Sequence, residues 1–239
     1  MFPATLPLGG TAFVAMLELT LVGEGWPLRR LPRIPAGLLA VLISWALALA
    51  VYGRLAGVDT PPGSDVIVRH GPVRGAVLGE VLVVIGAWQV LCHVVWRGWP
   101  FSDITNRATR LACAHTVVIG GGVLTYLVMR VLGQVTARRT AAVAGCVVAA
   151  GLLFGMLLED SLYGRVNRAA AERVVLLALT VAFAAVLAFA LFAAADAVDI
   201  TGTDADDWVE HAALNALALS IILHVGVGRR WPFAPQPAA

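Results

Sequence analysis

Lysine is missing from this chain, and all 17 of its basic residues are arginine. No mechanism that needs a lysine Schiff base is open to it, and the bias fits a GC-rich bacterial coding sequence. Charge as a whole is scarce. Only 13% of the residues are charged, 59% are hydrophobic, and the mean hydropathy of +0.84 lies far outside the soluble range. Also absent are a P-loop, a GxSxG elbow, a CxxC pair and a dinucleotide fingerprint. NTPase, hydrolase and dehydrogenase chemistry of the soluble kind therefore has no footing. Basic runs interleaved with aromatics are lacking as well, and net charge is only +2, which excludes nucleic acid as a partner.

The three cysteines, Cys92, Cys113 and Cys146, fall inside apolar runs. They predict small core residues and no disulfide framework. No basic region precedes the first apolar run, and Glu18 interrupts it. That run is expected to be a retained span and not a cleaved signal peptide.

What the chain does have is apolar length. A helix needs about 20 apolar residues to cross the hydrocarbon core, and runs near that length cover residues 6–22, 34–52, 76–96, 111–129, 141–158, 174–195 and 209–228. The expected fold is all-α: a single seven-span membrane bundle over residues 1–239 with no soluble domain, the first and fifth spans being short. Eleven arginines flank the ends after spans 1, 3, 5 and 7, against six on the other side. By the positive-inside rule the N-terminus is outside and the C-terminus cytoplasmic. The expected location is the inner (cytoplasmic) membrane, with the lipid bilayer as first partner.

An internal repeat marks the ends of the odd spans. Gly25-Trp26-Pro27-Leu28, Gly98-Trp99-Pro100-Phe101 and Arg230-Trp231-Pro232-Phe233 each follow an apolar run, 73 and then 132 residues apart. After span 5, Asn167-Arg168 echoes Asn106-Arg107 without the Trp-Pro. Parallel helical hairpins, three and a half of them, explain both spacings. Trp anchors at the interface and Pro ends a helix. Gly120-Gly121-Gly122 and the Gly151/Gly155 pair predict close helix approach.

Ionisable groups inside spans are costly and mark sites or pathways. Measured from the Trp-Pro markers at about 1.5 Å per residue, Glu18, His93 and His224 lie at similar depth, and His115, five residues into span 4 from Arg110, joins them. Gln89, His93 and Trp96 share a face at helical spacing, as do Ser220 and His224, while His115 aligns with Tyr126. The candidate catalytic and metal-binding set is therefore Glu18, His93, His115 and His224, with Gln89, Trp96, Trp99, Tyr126 and Ser220 as substrate contacts. Three imidazoles and a carboxylate suit zinc, iron or copper, although no single-helix metal signature is present. The bland alternative is four separately satisfied side chains. A second polar set, Glu80, Asp196, Glu210, His211 and Asn215, lies toward the outer side and is expected to be interfacial. The acidic run from Asp199 to Asp207 lacks the closing Glu of a calcium loop and predicts a solvated turn, and Glu159-Asp160 predicts a surface charge cluster.

These residues favour an integral-membrane enzyme acting on an apolar or amphipathic small molecule, of specialised-metabolite or lipid type. A transporter or channel for protons, cations or small solutes is the first alternative, weakened because the prolines sit at span ends and not in broken mid-membrane helices. An accessory subunit that meets a membrane partner is the second.

Overall fold

A computed structural model describes residues 2–57, 71–158, 168–198 and 204–227. Among them the chain runs through seven helices: α1 (Phe2–Leu17), α2 (Arg33–Leu55), α3 (Gly75–Gln89), α4 (Arg107–Val131), α5 (Ala137–Leu152), α6 (Ala169–Val198) and α7 (Ala205–His211, resuming as Leu219–Gly226). The only extended pairing among these residues is a two-residue parallel bridge of β1 (Ala56–Gly57) with β2 (Val73–Arg74). Six helices are long and apolar enough to cross a membrane, and Leu6–Val22 forms a shorter apolar helix. The chain has the character of a multi-pass helical membrane protein.

The side chains are arranged for lipid. On α2 the buried residues are Ala40, Ser44 and Ala48, on α4 Ala114, Val118, Gly122 and Tyr126, and on α6 Leu176, Thr180, Ala184 and Ala188. Each set is a stripe at i+4 spacing, dominated by small residues. The large apolar residues face outward instead: Ile34, Leu38, Leu42 and Leu49 on α2, Val181, Val186 and Phe189 on α6. In water that surface would drive aggregation. In a bilayer, lipid tails cover it and the small stripe lets helices pack closely.

Two compact units divide the chain, Met1–Gln89 with Phe101–Thr140 and Val90–Pro100 with Ala141–Ala239. In the first, α3 packs against α1 and α4 across glycine seams. A Cβ on Gly79 would stand 2.6 Å from Leu6, and one on Gly122 would stand 2.6 Å from Ile85 and 2.9 Å from its Cα. Gly121 leaves room for the Trp88 ring, whereas Gly120 faces open space. In the second unit, Gly151 of α5 and Gly155 of the turn that continues it receive Val90 and Val94. A small-residue core joins Ala142, Cys146 and Ala150 of α5 to Ala184, Ala188 and Ala195 of α6 and Val209 and Ala213 of α7. The expected core placement holds for Cys92 and Cys146 but not for Cys113, which is only partly buried on α4; all three are free thiols.

Every odd helix carries a π-helical turn, and among the described residues no even helix does. The turns are Glu18–Val22, Val90–Val95, Leu153–Leu157 and Ala212–Ala218. The first two belong to a repeated unit whose hydrogen bonds recur at an offset of 73. Gly23 N donates to Glu18 O and Trp96 N to Leu91 O; Trp26 N donates to Gly23 O and Trp99 N to Trp96 O; Leu31 N donates to Leu28 O and Ile104 N to Phe101 O. Positive φ angles also match, at Glu24 (53°) and Gly25 (69°), then at Arg97 (51°) and Gly98 (82°), and both Trp-Pro bonds are cis. A 3₁₀ turn follows each, Leu28–Arg30 and Phe101–Asp103. The repeat anticipated from the motif is thus present in the backbone for its first two copies. The third copy at Trp231 lies outside the described residues, as do Asn167, Glu159-Asp160 and Asp199 to Thr203.

Proline does not end these helices. The π turn closes each of them first, and the left-handed pair that follows turns the chain, which is why Gly25 and Gly98 stand where they do. The π turn alters a second expectation too. Gln89 and Trp96 do not act as one helical face, because a turn closed by i→i−5 bonds takes up an extra residue between them. Gln89 engages α1, while Trp96 engages α6.

Overpacking a glycine seam costs about 1–3 kcal/mol. Gly155→Leu, aimed at Val94 side chain and backbone, should lower stability by about 2 kcal/mol or more. Gly226, where an added methyl would meet nothing within 4 Å, should accept alanine with no loss. Thermal unfolding of the two variants in detergent checks the contrast.

Candidate acid–base site

Three helices of the first unit converge on one carboxylate. Glu18 opens the π turn of α1, Gln89 ends the regular part of α3, and His115 lies in the third turn of α4. Glu18 Oε1 accepts from Gln89 Nε2 at 2.8 Å, and Glu18 Oε2 is hydrogen-bonded to His115 Nδ1. Gln89 Nε2 also donates to the Val14 carbonyl at 3.0 Å. Both partners of that nitrogen are acceptors, which fixes the amide orientation. Gln89 Oε1 is left buried with no hydrogen-bond partner. With Glu18 ionised, its oxygens can only accept, so His115 Nδ1 carries a proton, and in the neutral imidazole Nε2 then presents a lone pair. A carboxylate that fixes one ring nitrogen and leaves the other as a base is an arrangement suited to proton transfer.

A second contact holds the same helices in register. Glu24, in the left-handed position after α1, accepts from Arg107 Nε at 3.2 Å and from Arg110 Nε at 2.6 Å. Arg110 also donates to the Ile104 carbonyl at 3.0 Å. Two arginines in the first turn of α4 oppose its helix dipole, and the Glu24 carboxylate offsets them. The α4 N-terminus is further capped by Asn106, whose side chain accepts from Thr109 N at 3.1 Å. Trp88 Nε1 donates to Thr125 Oγ1 at 3.0 Å and ties α3 to α4 farther along. Glu18 and Glu24 thus grip α4 at two points, one beside His115 and one at the helix start.

The other expected residues are distributed differently. Tyr126 lies eleven residues beyond His115, about 16 Å along α4, and its hydroxyl donates to Glu80 at 3.4 Å. His93 sits in the second π turn and His224 in the last segment of α7; both belong to the second unit. Among the described residues no group of three or more His, Cys, Asp and Glu side chains is arranged to hold a metal ion. Trp96 and Trp99 meet edge to face at 5.6 Å, with the Arg173 guanidinium 4.7 Å above Trp99 and the Trp96 indole donating to the Arg173 carbonyl. Ser220 returns its hydroxyl to the Ala216 carbonyl of its own helix.

Of the outer set, Glu80 and Glu210 are buried among protein side chains, at 3% and 1% exposure. His211 and Asn215 are hydrogen-bonded to one another at 2.8 Å. Asp204 caps α7 by accepting from Asp206 N. Glu24, outside the set expected from sequence, is a functional position through its pairs with Arg107 and Arg110. The available signal was spacing: Glu24 follows Glu18 by six residues, and Arg110 precedes His115 by five.

No family model matches the chain, and neither a curated protein nor a solved structure matches it.

The Glu24 carboxyl is held below its ordinary 4.5 chiefly by the hydrogen bond from Arg110, against burial, which raises it, and with help from Arg107. A lowered folded value means that its contribution is present above 4.5 and is lost as the pH falls through the folded value. Its side chain is 33% exposed, so solvent screening limits that contribution to about 1 kcal/mol. Glu24→Gln should therefore lower the unfolding temperature at neutral pH, and the gap to the wild type should close in acid. A gap that persists unchanged in acid would remove the ion pairs as its cause.

Proposed function

We propose that the chain is an integral-membrane enzyme of the bacterial inner membrane that acts on an apolar or amphipathic small molecule, with Glu18 and His115 as its acid–base pair. The observation that carries this reading is the hydrogen bond between Glu18 and His115 at a three-helix junction. In this reading His115 Nε2 takes a proton from an O–H, N–H or acidic C–H group of the substrate. The imidazolium so formed faces the Glu18 carboxylate, and Gln89 keeps that carboxylate in place. The apolar exterior of the helices suits a substrate that arrives through the bilayer. The chain would cross seven times with its N-terminus outside and C-terminus cytoplasmic, supported by the eleven-to-six division of arginines. The Glu18–His115 pair would then lie on the cytoplasmic side. Zinc, iron or copper would find in Glu18 and His115 an oxygen and a nitrogen donor, and would add Lewis acidity to the pair.

A second reading, transport of protons or cations, draws on one observation: buried Glu80 accepts from Tyr126 on the same two helices, α3 and α4, that carry Gln89 and His115. Glu80 on α3 and Glu18, which contacts both α3 and α4 from the turn after α1, could serve as stations on a path.

The readings separate by experiment. Apolar extracts from cells making equal amounts of wild type, Glu18→Gln and His115→Ala are compared. The enzyme reading expects a species made or consumed by the wild type and turned over about 10²–10⁴ times more slowly in both variants. Indistinguishable extracts would sink it. Elemental analysis of the same purified proteins decides the metal: stoichiometric metal lost in His115→Ala supports it, and an active metal-free wild type removes it. Proton flux in liposomes, abolished by Glu80→Gln, is what the transport reading requires.

A further inference from the structure

The repeated turn provides an internal control for what its own side chains are for. Residues 28–33 and 101–106 occupy matching places in two copies of the same backbone, with the same closing hydrogen bond from Leu31 N to Leu28 O and from Ile104 N to Phe101 O. In the first copy Arg29, Arg30 and Arg33 stand where the second has Ser102, Asp103 and Asn106. The turn therefore forms without the three arginines. They are not spent on ion pairs either. Arg107 and Arg110 pair with Glu24, and Arg173 lies over Trp99, whereas the side chains of Arg29, Arg30 and Arg33 make no hydrogen bond or ion pair with any described residue. All three are exposed, and no acidic residue lies between Gly25 and Ile34.

The same segment exposes apolar side chains between the charges. Trp26 is 58% exposed, Leu31 41% and Ile34 78%. Three guanidinium groups alternate with an indole and two aliphatic side chains at the end of two apolar helices, α1 and α2. Guanidinium groups are matched in charge and geometry to phosphate oxygens, and Trp with aliphatic neighbours is matched to the boundary between headgroup and acyl chain.

We infer that the turn from Trp26 to Ile34 is a binding surface for anionic phospholipid headgroups, with Arg29, Arg30 and Arg33 on the phosphate and Trp26, Leu31 and Ile34 in the adjoining acyl layer. Arginines of this kind next to a membrane attract anionic lipid, and screening by salt weakens them. The second turn, with Ser102, Asp103 and Asn106, lacks the charge to do the same. The surface is independent of the Glu18–His115 chemistry and stands or falls separately from it.

The test uses the full chain reconstituted in vesicles of equal parts phosphatidylglycerol and phosphatidylcholine, then extracted in detergent, with the co-purified lipid quantified. One variant transplants the second copy into the first, Arg29→Ser, Arg30→Asp and Arg33→Asn; another keeps the charge, with all three changed to Lys. Wild type and the Lys variant should retain phosphatidylglycerol in preference to phosphatidylcholine, and the transplant should lose about tenfold of that preference while unfolding at the wild-type temperature. A wild type without preference, or a folded transplant with full preference, overturns the proposal. Displacement of the lipid by an equal concentration of inorganic phosphate also overturns it, since the surface would then take a free anion. Should the transplant not fold, salt titration of the wild type decides: the preference must fall as ionic strength rises, and a salt-independent preference overturns the proposal.

Discussion

The carboxylate of Glu18 is the point on which the first unit depends. A charge in a helical membrane segment cannot stand alone, and here each oxygen meets a donor on a different helix. Hydrogen bonds to a charged group contribute about 1.5–3 kcal/mol, more than the roughly 1 kcal/mol of the exposed Glu24 pairs. The two contacts differ in kind as well as size. Glu24 sets where α4 begins, and Glu18 sets which side of α4 faces inward. Close approach along the Gly79, Gly121 and Gly122 seams then becomes possible because the helix rotations are already determined.

Duplication of the frame has been accompanied by divergence of its chemistry. At an offset of 73, Leu91 occupies the place of Glu18, Arg97 the place of Glu24, and Met16 the place of Gln89. Each Trp-Pro turn nevertheless meets the first turn of an even helix three elements later. The first meets α4 through Glu24, and the second meets α6 through Trp96 and Arg173. The same docking thus uses ion pairs in one copy and an indole hydrogen bond with a stacked guanidinium in the other. Conserving the backbone while exchanging the chemistry is what leaves the Glu18 junction free to specialise.

Apolar run length made the helices legible: each of the seven expected runs coincides with a helix to within about five residues, and six of these helices are long and apolar enough to cross a membrane. The 73-residue spacing made the repeated turn legible, and the small residues at Gly121, Gly122, Gly151 and Gly155 foretold close packing. Depth placed Glu18, His93, His115 and His224 in one layer, and of that set the hydrogen bond within the first unit joins Glu18 and His115; depth alone did not single out this pair. Rotation was not legible. Face arguments assumed 3.6 residues per turn, and each π turn breaks that phase. Gln89 therefore became a partner of Glu18, while Trp96 went to α6. Burial of Glu80 and Glu210 was also hidden, because position near a span end does not reveal which way a side chain turns.

The long sequence separation of these contacts bears on how the protein is made. Glu18 and His115 are 97 residues apart, and Glu24 and Arg110 are 86 apart. Synthesis delivers α1 and its turn ahead of α4, and two more helices, α2 and α3, must emerge before α4 supplies the imidazole and the guanidinium groups. A short helix with an unmatched acid is a poor candidate for early release into lipid. The junction therefore closes only once α4 has been made, so the partners of Glu18 and Glu24 on α4 come from a helix built much later than the one they complete.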